Sequence, residues 1–477
     1  MSLTTASTSK TSIRNDQWLG AVRQQIVGID AKVPLLNGTK TTYINFDNAA
    51  STPVLVAVLK TLNDFMPWYS SVHRGSGYKS LVSTEAYERA RQIVGQAFGA
   101  NANEHIVIFG KNSTEALNKL SYRLPLAKSD IVLVSLLEHH SNDLPWRRQA
   151  TVKRIKVDRL GRLDENDYYR LLKKYHGRVK LVAVTGASNV TGYVPDIYRL
   201  AAMAHKAGAQ ILVDSAQLAP HRPINIGRLN QPQHLDYIVV SAHKLYAPFG
   251  TGALIGRRDT FETGEPEQCG GGTIDLVTTN RVQWTNLPDR DEAGSPNVVG
   301  AVTMAAALEQ LGKIGWSKIA EHESELTAYA LTKLAAIKGV RLFGDDDSEN
   351  NQNRLGVIPL EVKGLHHALV AAVLGSEWGI GVRNGCFCAH PYVTKLLGMQ
   401  RGDIELFGDE VMRGDKSRMP GMVRISLGIY NTAAEVDKLA EALTAIAAGD
   451  IAGQYRQDKA TGDYQAVGWS PPKPAIV

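Results

Sequence analysis

The chain has 477 residues, 44% of them hydrophobic and 21% charged, with a net charge of +6; this is the composition of a globular protein long enough for one large and one small domain. Its lysines and arginines are spread without a basic block, which argues against a nucleic-acid partner. No uncharged apolar run reaches the length of about 18 residues that a membrane-spanning helix needs.

Residues 1–30 read as a tail followed by a short helix carrying Trp18, Val22 and Ile26. The tail is rich in Ser and Thr and lacks the apolar segment of a secretory signal. Arg14 is the only arginine among the first twenty-two residues, a poor match to a transit peptide. Three cysteines, two of them Cys386 and Cys388, suit a reducing compartment better than a disulfide framework, so a cytoplasmic location is expected.

Over residues 31–300, short β-rich runs alternate with amphipathic helical segments. Strand candidates include Ile106–Phe109, Ile131–Ser135, Leu181–Val184, Ile211–Val213, Tyr237–Val240 and Gly252–Gly256. Such alternation predicts a mainly parallel sheet covered on both faces, with ligands beyond the carboxyl ends of its strands. Glu115, Glu138, Asn189, Asp214 and Lys244 each follow a strand candidate and are expected to converge there. From 301 to 450 the pattern becomes that of a smaller α+β domain. Helices are expected at 302–312, 317–337 and 366–375, and strands at 340–343, 354–360 and 422–427. Thr432-Ala-Ala-Glu435 opens a last helix as a capping box, with Val436, Leu439, Leu443 and Ile446 as its buried stripe. Residues 399–420 read as an exposed insertion, and 451–477 as an extended tail.

Chemistry concentrates at the ends of the strands. Ser241-Ala-His243-Lys244 follows one apolar strand and Asp214 ends another. A lysine amine can form a Schiff base with the aldehyde of pyridoxal 5'-phosphate (PLP), and a carboxylate can keep the pyridine nitrogen protonated. Ser113 and Thr114 precede a helix, where amides and hydroxyls make an anion site; alone they also suit a simple cap. Ser241 and His243 can add donors to the same phosphate. His139 can lie flat on a cofactor ring and shuttle protons. Gln217 and Asn189 can reach the phenolic oxygen. The adjacent histidines 139 and 140 lack the carboxylate–histidine spacing of zinc helices. Cys386-Phe-Cys388-Ala-His390 has three readings: half a zinc site without a second cysteine pair, a redox pair, or a nucleophilic thiolate at Cys388 that takes sulfur from a cysteine substrate. Arg383 and Arg424 are candidates for gripping a substrate carboxylate.

With these residues in view, the chain resembles the class V aminotransferase group of fold-type I PLP enzymes, and within it the cysteine desulfurases and selenocysteine lyases. The resemblance runs from about Asn45 to Leu443. It rests on Asn45-Phe-Asp47-Asn-Ala-Ala-Ser51, Val72-His-Arg-Gly75, Ser113-Thr-Glu115, Glu138-His-His-Ser-Asn142, Ser188-Asn-Val190, Val213-Asp-Ser-Ala-Gln217, Ser241-Ala-His-Lys244, Gly270-Gly-Gly272, Ala293-Gly-Ser-Pro-Asn297 and Arg424. It implies a large, mainly parallel seven-stranded sheet domain plus a smaller α+β C-terminal domain. It implies PLP on Lys244, with Asp214 at the ring nitrogen, Gln217 at the phenolic oxygen and His139 stacked on the ring. Thr114, Ser241 and His243 hold the phosphate in that picture, while Asn189 and Arg424 bind substrate carboxylate. Ser295 stands where the family has a threonine that reaches the neighbouring subunit's phosphate, which implies a homodimer. Cys388 falls at the persulfide-forming cysteine. The surrounding Arg383-Asn-Gly-Cys-Phe-Cys388 departs from the desulfurase pattern and is similar to that of molybdenum cofactor sulfurases, so the sulfur acceptor is left open. The expected function is conversion of L-cysteine to L-alanine with sulfur passed to a cysteine persulfide. The alternatives are another class V enzyme (a C–S lyase, epimerase or biosynthetic tailoring enzyme) and a sulfur-relay protein.

Overall fold

The computed structural model describes residues 9–73, 75–349 and 351–472. The first eight residues of the expected N-terminal tail, Arg74 of the Val72–Gly75 motif and the end of the C-terminal tail lie outside them. Seven strands form the central sheet: β1 (His105–Gly110), β2 (Ile131–Ser135), β3 (Thr151–Ile155), β4 (Val179–Thr185), β5 (Gln210–Asp214), β6 (Tyr237–Ser241) and β7 (Gly252–Arg257). Their spatial order is β1-β7-β6-β5-β4-β2-β3, and all are parallel except β7, which runs antiparallel to both neighbours. This is an α/β, fold-type I arrangement with a mainly parallel seven-stranded sheet.

Alternate residues of one strand enter different cores. Val107 and Phe109 join one apolar cluster with Leu200, Ala204 and Met304, while Ile106 and Ile108 join a second with Leu117 and Leu120. Both faces of the sheet are therefore dry, which is why its central strands read as continuous apolar runs. Strand β3 is absent from the strand candidates. Its sequence, Thr-Val-Lys-Arg-Ile, lies at the sheet edge with four of five residues only half-buried, so two charged side chains interrupt the apolar signal.

A second sheet contains β8 (Val340–Leu342), β9 (Val357–Val362), β10 (Arg383–Gly385) and β11 (Met422–Ser426) in the order β8-β9-β11-β10, antiparallel throughout. Its core joins Ile358, Leu360, Val423 and Ile425 to Leu326, Val370, Leu439 and Leu443. Ile44 and Phe46 also belong to this core, because Ile44–Asn45 pairs in parallel with Ile380–Gly381. An early stretch of the expected large domain thus packs with the C-terminal one. The helix expected from 302 begins at Val298, where the Asn297 side chain accepts from the Gly300 amide at 2.9 Å. The last helix, Ala433–Ala448, has both halves of its capping box: Thr432 Oγ1 accepts from the Glu435 amide at 3.2 Å and Glu435 accepts from the Thr432 amide at 3.0 Å.

Two segments differ from expectation. Within 399–420 a helix forms, Arg401–Met412, with a Gln400/Asp403 capping box and no buried residue; its polar, glycine-containing sequence hid it. Residues 451–477 are not simply extended. Tyr455–Gln457 pairs with Tyr464–Ala466, and the Tyr455 hydroxyl donates to Glu377 at 2.7 Å, fastening this hairpin to the body. Among the described residues, no helix is long and apolar enough to cross a membrane.

Candidate active site

The carboxyl ends of β1, β2, β4, β5 and β6 open into a cavity of about 440 Å3, within the range of cofactor and small-molecule sites. Twelve of the candidate residues line it: Ser113, Thr114, His139, Asn189, Asp214, Gln217, Ser241, His243, Lys244, Arg383, Cys388 and Arg424. Ser295 does not; it borders a separate hollow with Ser71, His73, Gly271 and Gly272. Glu115 and Glu138 also stay outside. Glu115 turns back to accept from the amide of Lys111, just ahead of the Asn112 N-cap, at 2.6 Å. Glu138 is buried beneath the cavity, accepting from Ser135, from Asn142 Nδ2 at 2.6 Å and from the Thr185 amide at 2.8 Å. Burial pushes its carboxyl up to about 8.

Lys244 closes a one-turn helix, Ala242–Lys244, directly after β6. Burial pushes its ammonium down to about 8, against the pull of Asp214. Asp214 ends β5 and accepts from the Ala216 amide at 3.0 Å; burial raises its carboxyl above the usual range. Burial, with Lys244, His140 and Arg424 nearby, pushes His139 down to about 3, so its imidazole is neutral at working pH. His243 is pushed down to about 4 by burial and by Lys244. The Ser113 amide donates to Ser241 Oγ at 2.8 Å, and Thr114 Oγ1 and Ser141 Oγ lie 2.7 Å apart, at the start of the Ser113–Arg123 helix. This donor set suits a phosphate at one end and a protonated ring nitrogen at the other, with an amine available for an aldehyde. The residues present fit PLP.

The cationic part of the wall was only half legible in the sequence. Arg383 and Arg424 are directly opposed on β10 and β11, a repulsive pairing unless an anion intervenes. Asp47 supplies it, with Oδ1 2.9 Å from Arg424 and Oδ2 3.8 Å from Arg383. Arg424 also donates to the Asn189 carbonyl at 3.0 Å, and burial lowers its guanidinium from the ordinary value. The sequence signal for Asp47 was its place in Asn45–Ser51, far along the chain from either arginine.

Cys388 is exposed at the cavity mouth, whereas Cys386 is buried and donates to the Pro420 carbonyl at 3.0 Å. Burial, with Cys388 beside it, pushes the Cys386 thiol up to about 12. Phe387 and Cys388 take φ of 52° and 53°, left-handed values that cost side-chain-bearing residues roughly 1–3 kcal/mol each. Contacts from other elements hold this turn. The His140 amide donates to the Cys388 carbonyl at 2.7 Å, and Asn189 Nδ2 donates to that of Phe387 at 2.7 Å. The His390 amide reaches His140 Nε2 at 3.2 Å, and the two imidazoles stack at 4.8 Å between centroids. No local sequence pattern pairs His140 with His390.

Residues 44–439 match the family described as aminotransferase class-V. The chain belongs to that family. A relative from Halalkalibacterium halodurans named "Probable cysteine desulfurase" is 32% identical over 86% of this chain and 93% of its own. Among solved structures, the apo cysteine desulfurase of Thermococcus onnurineus is similar with a TM-score of 0.75 and 31% identity, covering 90% of this chain and 98% of that one. The Escherichia coli cysteine desulfurase CsdA gives 0.72 and 28%, over 91% and 99%. The class-V match spans every cavity residue named above.

Proposed function

We propose that this protein is a PLP-dependent cysteine desulfurase that converts L-cysteine to L-alanine and takes the sulfur onto Cys388. One observation carries the reading: a single cavity gathers Lys244, Asp214, an anion-binding helix start, two arginines and a thiol. Relatives named as cysteine desulfurases support it.

Bound PLP supplies an electron sink that acidifies the substrate Cα–H and weakens the Cβ–Sγ bond. Ser113, Thr114, Ser241 and His243 would hold the phosphate, Asp214 would keep the ring nitrogen protonated, and Gln217 would serve the phenolic oxygen. His139, neutral over the working range, would face the ring and pass protons. Lys244 Nζ would hold the cofactor through its amine and serve as the base at the substrate Cα; an amine near 8 suits that role. Arg383, Arg424 and Asn189 grip the substrate carboxylate. Cys388 Sγ, as the thiolate, attacks the substrate sulfur. An S–S bond forms as Cβ–Sγ breaks, the bonding electrons stay with carbon, and Cβ and Cα are protonated. Cysteine plus a thiol thus becomes alanine plus a persulfide, with no external oxidant.

Cys388 rather than Cys386 takes the sulfur, because a buried thiol near 12 supplies almost no thiolate at neutral pH. Ser295, outside the cavity, is assigned to the phosphate of a partner subunit in a homodimer. Three unpaired thiols suit a reducing cytoplasm. A protein persulfide requires a thiol-bearing acceptor, which Cys388 can reach from its exposed position.

The test is alanine and sulfide release from L-cysteine by the reductant-treated holoenzyme, beside a Cys388→Ala variant and a panel of other amino acids that includes selenocysteine. Loss of turnover in the variant supports the assignment. Unchanged turnover removes the persulfide route, and a protein that stays colourless after soaking in PLP removes the cofactor.

A further inference from the structure

At the opposite end of the sheet, away from the Lys244 cavity, two histidines and an aspartate face one another. His205 lies in the last turn of the Ile197–Lys206 helix, His234 in the loop leading into β6, and Asp236 immediately before β6. The ligand atoms of all three lie within 4.8 Å of one another. His205 Nε2 is 2.9 Å from Asp236 Oδ2, and His234 Nε2 is 3.3 Å from Oδ1. The side chains are 18%, 8% and 1% exposed, respectively.

The hydrogen bonds on the far side of each ring decide what this cluster can hold. His205 Nδ1 lies 2.8 Å from the Pro232 carbonyl, and His234 Nδ1 lies 2.6 Å from that of Gln231. A carbonyl only accepts, so each Nδ1 carries its proton, and a neutral ring then turns the lone pair of Nε2 toward the carboxylate. Lone pairs facing carboxylate oxygens at 2.9 and 3.3 Å repel. Something positive has to stand between them. If it is a second proton on each ring, two imidazolium ions stack at 4.1 Å and 15°, with the Arg257 guanidinium 3.3 Å from the same carboxylate. Two like charges then face each other ring to ring, whereas an ion held between the lone pairs leaves both rings neutral. A single divalent ion replaces both protons at the same total charge and bonds both lone pairs and the carboxylate.

We propose that His205, His234 and Asp236 form a binding site for a divalent transition-metal ion of the zinc type. Two imidazoles and one carboxylate suit zinc, leaving a fourth position for water. At metal–ligand lengths of about 2.0–2.1 Å, tetrahedral ligand atoms stand roughly 3.3 Å apart, close to the two nitrogen–oxygen distances found here. The outer contacts match those of a metal centre: a carbonyl fixes the tautomer of each histidine, and the Ile211 amide donates to Asp236 Oδ2 at 2.8 Å. His105 is not a ligand, since its Nδ1 accepts from the Asn101 amide and its Nε2 therefore holds the proton. Arg257 is also paired with Asp259, which draws its charge outward. A bound ion ties the end of a surface helix and a long loop to the root of β6, the strand whose far end leads to Lys244.

The experiment loads the PLP-containing protein with Zn2+, removes loosely held ion by gel filtration, and measures zinc per chain. One equivalent is expected in the unaltered protein. The His205→Gln/His234→Gln double variant is expected to bind at least tenfold more weakly, with its cofactor absorption unchanged. No retained zinc, or equal retention in both proteins, overturns the site. Should the double variant fail to fold, Co2+ in the unaltered protein decides. Four-coordinate d–d bands without a sulfur charge-transfer band support a histidine–carboxylate site; a thiolate band, or no bands, overturns it.

Discussion

The floor of the cavity and the turn that carries Cys388 are built on different principles. Lys244 and Asp214 follow central strands whose two faces are buried in apolar clusters, so their positions are set by packing that no single contact controls. Cys388 sits on a short turn between β10 and the His390–Leu396 helix, in a left-handed conformation; the His140 amide holds its carbonyl, Asn189 holds that of Phe387, and the His390 amide donates to the His140 ring. Groups that must stay fixed are placed by the sheet. The thiol proposed to meet both a substrate and an acceptor is placed on a strained turn with contacts that can be exchanged.

Removing the central amine is the hardest blow to this division. Lys244→Ala should lower alanine formation by about 10³-fold or more and abolish the cofactor's visible absorption, without disturbing the turn. Cys388→Ser should cost about 10²-fold in desulfuration while leaving that absorption intact; mass spectrometry should no longer find an added sulfur atom on the protein. If both variants lose the cofactor, floor and turn are not separable.

His390→Ala removes the stacked partner of His140 and should reduce sulfur transfer by about tenfold, with PLP capture unaffected. Equal loss of both would show that the turn supports the floor. A subtler effect is expected in the pH dependence of PLP capture by the apoprotein. The neutral amine attacks the aldehyde, so with Lys244 lowered to about 8 the rate should rise through about pH 8 and level off above it. Asp214 favours the charged amine, so Asp214→Asn should move the midpoint below 8. A rise continuing to the pH of an ordinary lysine would show that the floor does not tune its amine. Least affected should be Leu406→Ser on the exposed Arg401–Met412 helix, which has no buried residue; unfolding free energy should stay within about 0.5 kcal/mol.

The same contrast explains what could be read from the sequence. Lys244 and Asp214 announce themselves because an apolar strand precedes each and the strand ends share one side of the sheet. The edge strand β3 failed this test because Lys153 and Arg154 break its apolar run. The latch on the Cys388 turn was not readable at all, since His140 and His390 are 250 positions apart and no local pattern joins them. Asp47 was visible as part of a motif, but its place between two arginines depends on the register of β10 against β11. Glu115 and Glu138 followed strands as the cavity residues do, yet local amides and hydroxyls claimed their carboxylates.

Asn189 joins two walls of the site. Its backbone carbonyl accepts from Arg424 while its side-chain Nδ2 donates to the Phe387 carbonyl, and the Arg424 guanidinium lies 5.0 Å over the Phe387 ring. A ligand that engages this arginine is therefore expected to shift the backbone next to the thiol, and an amino acid lacking its carboxylate to leave the sulfur arm unprimed even when every reacting group is present.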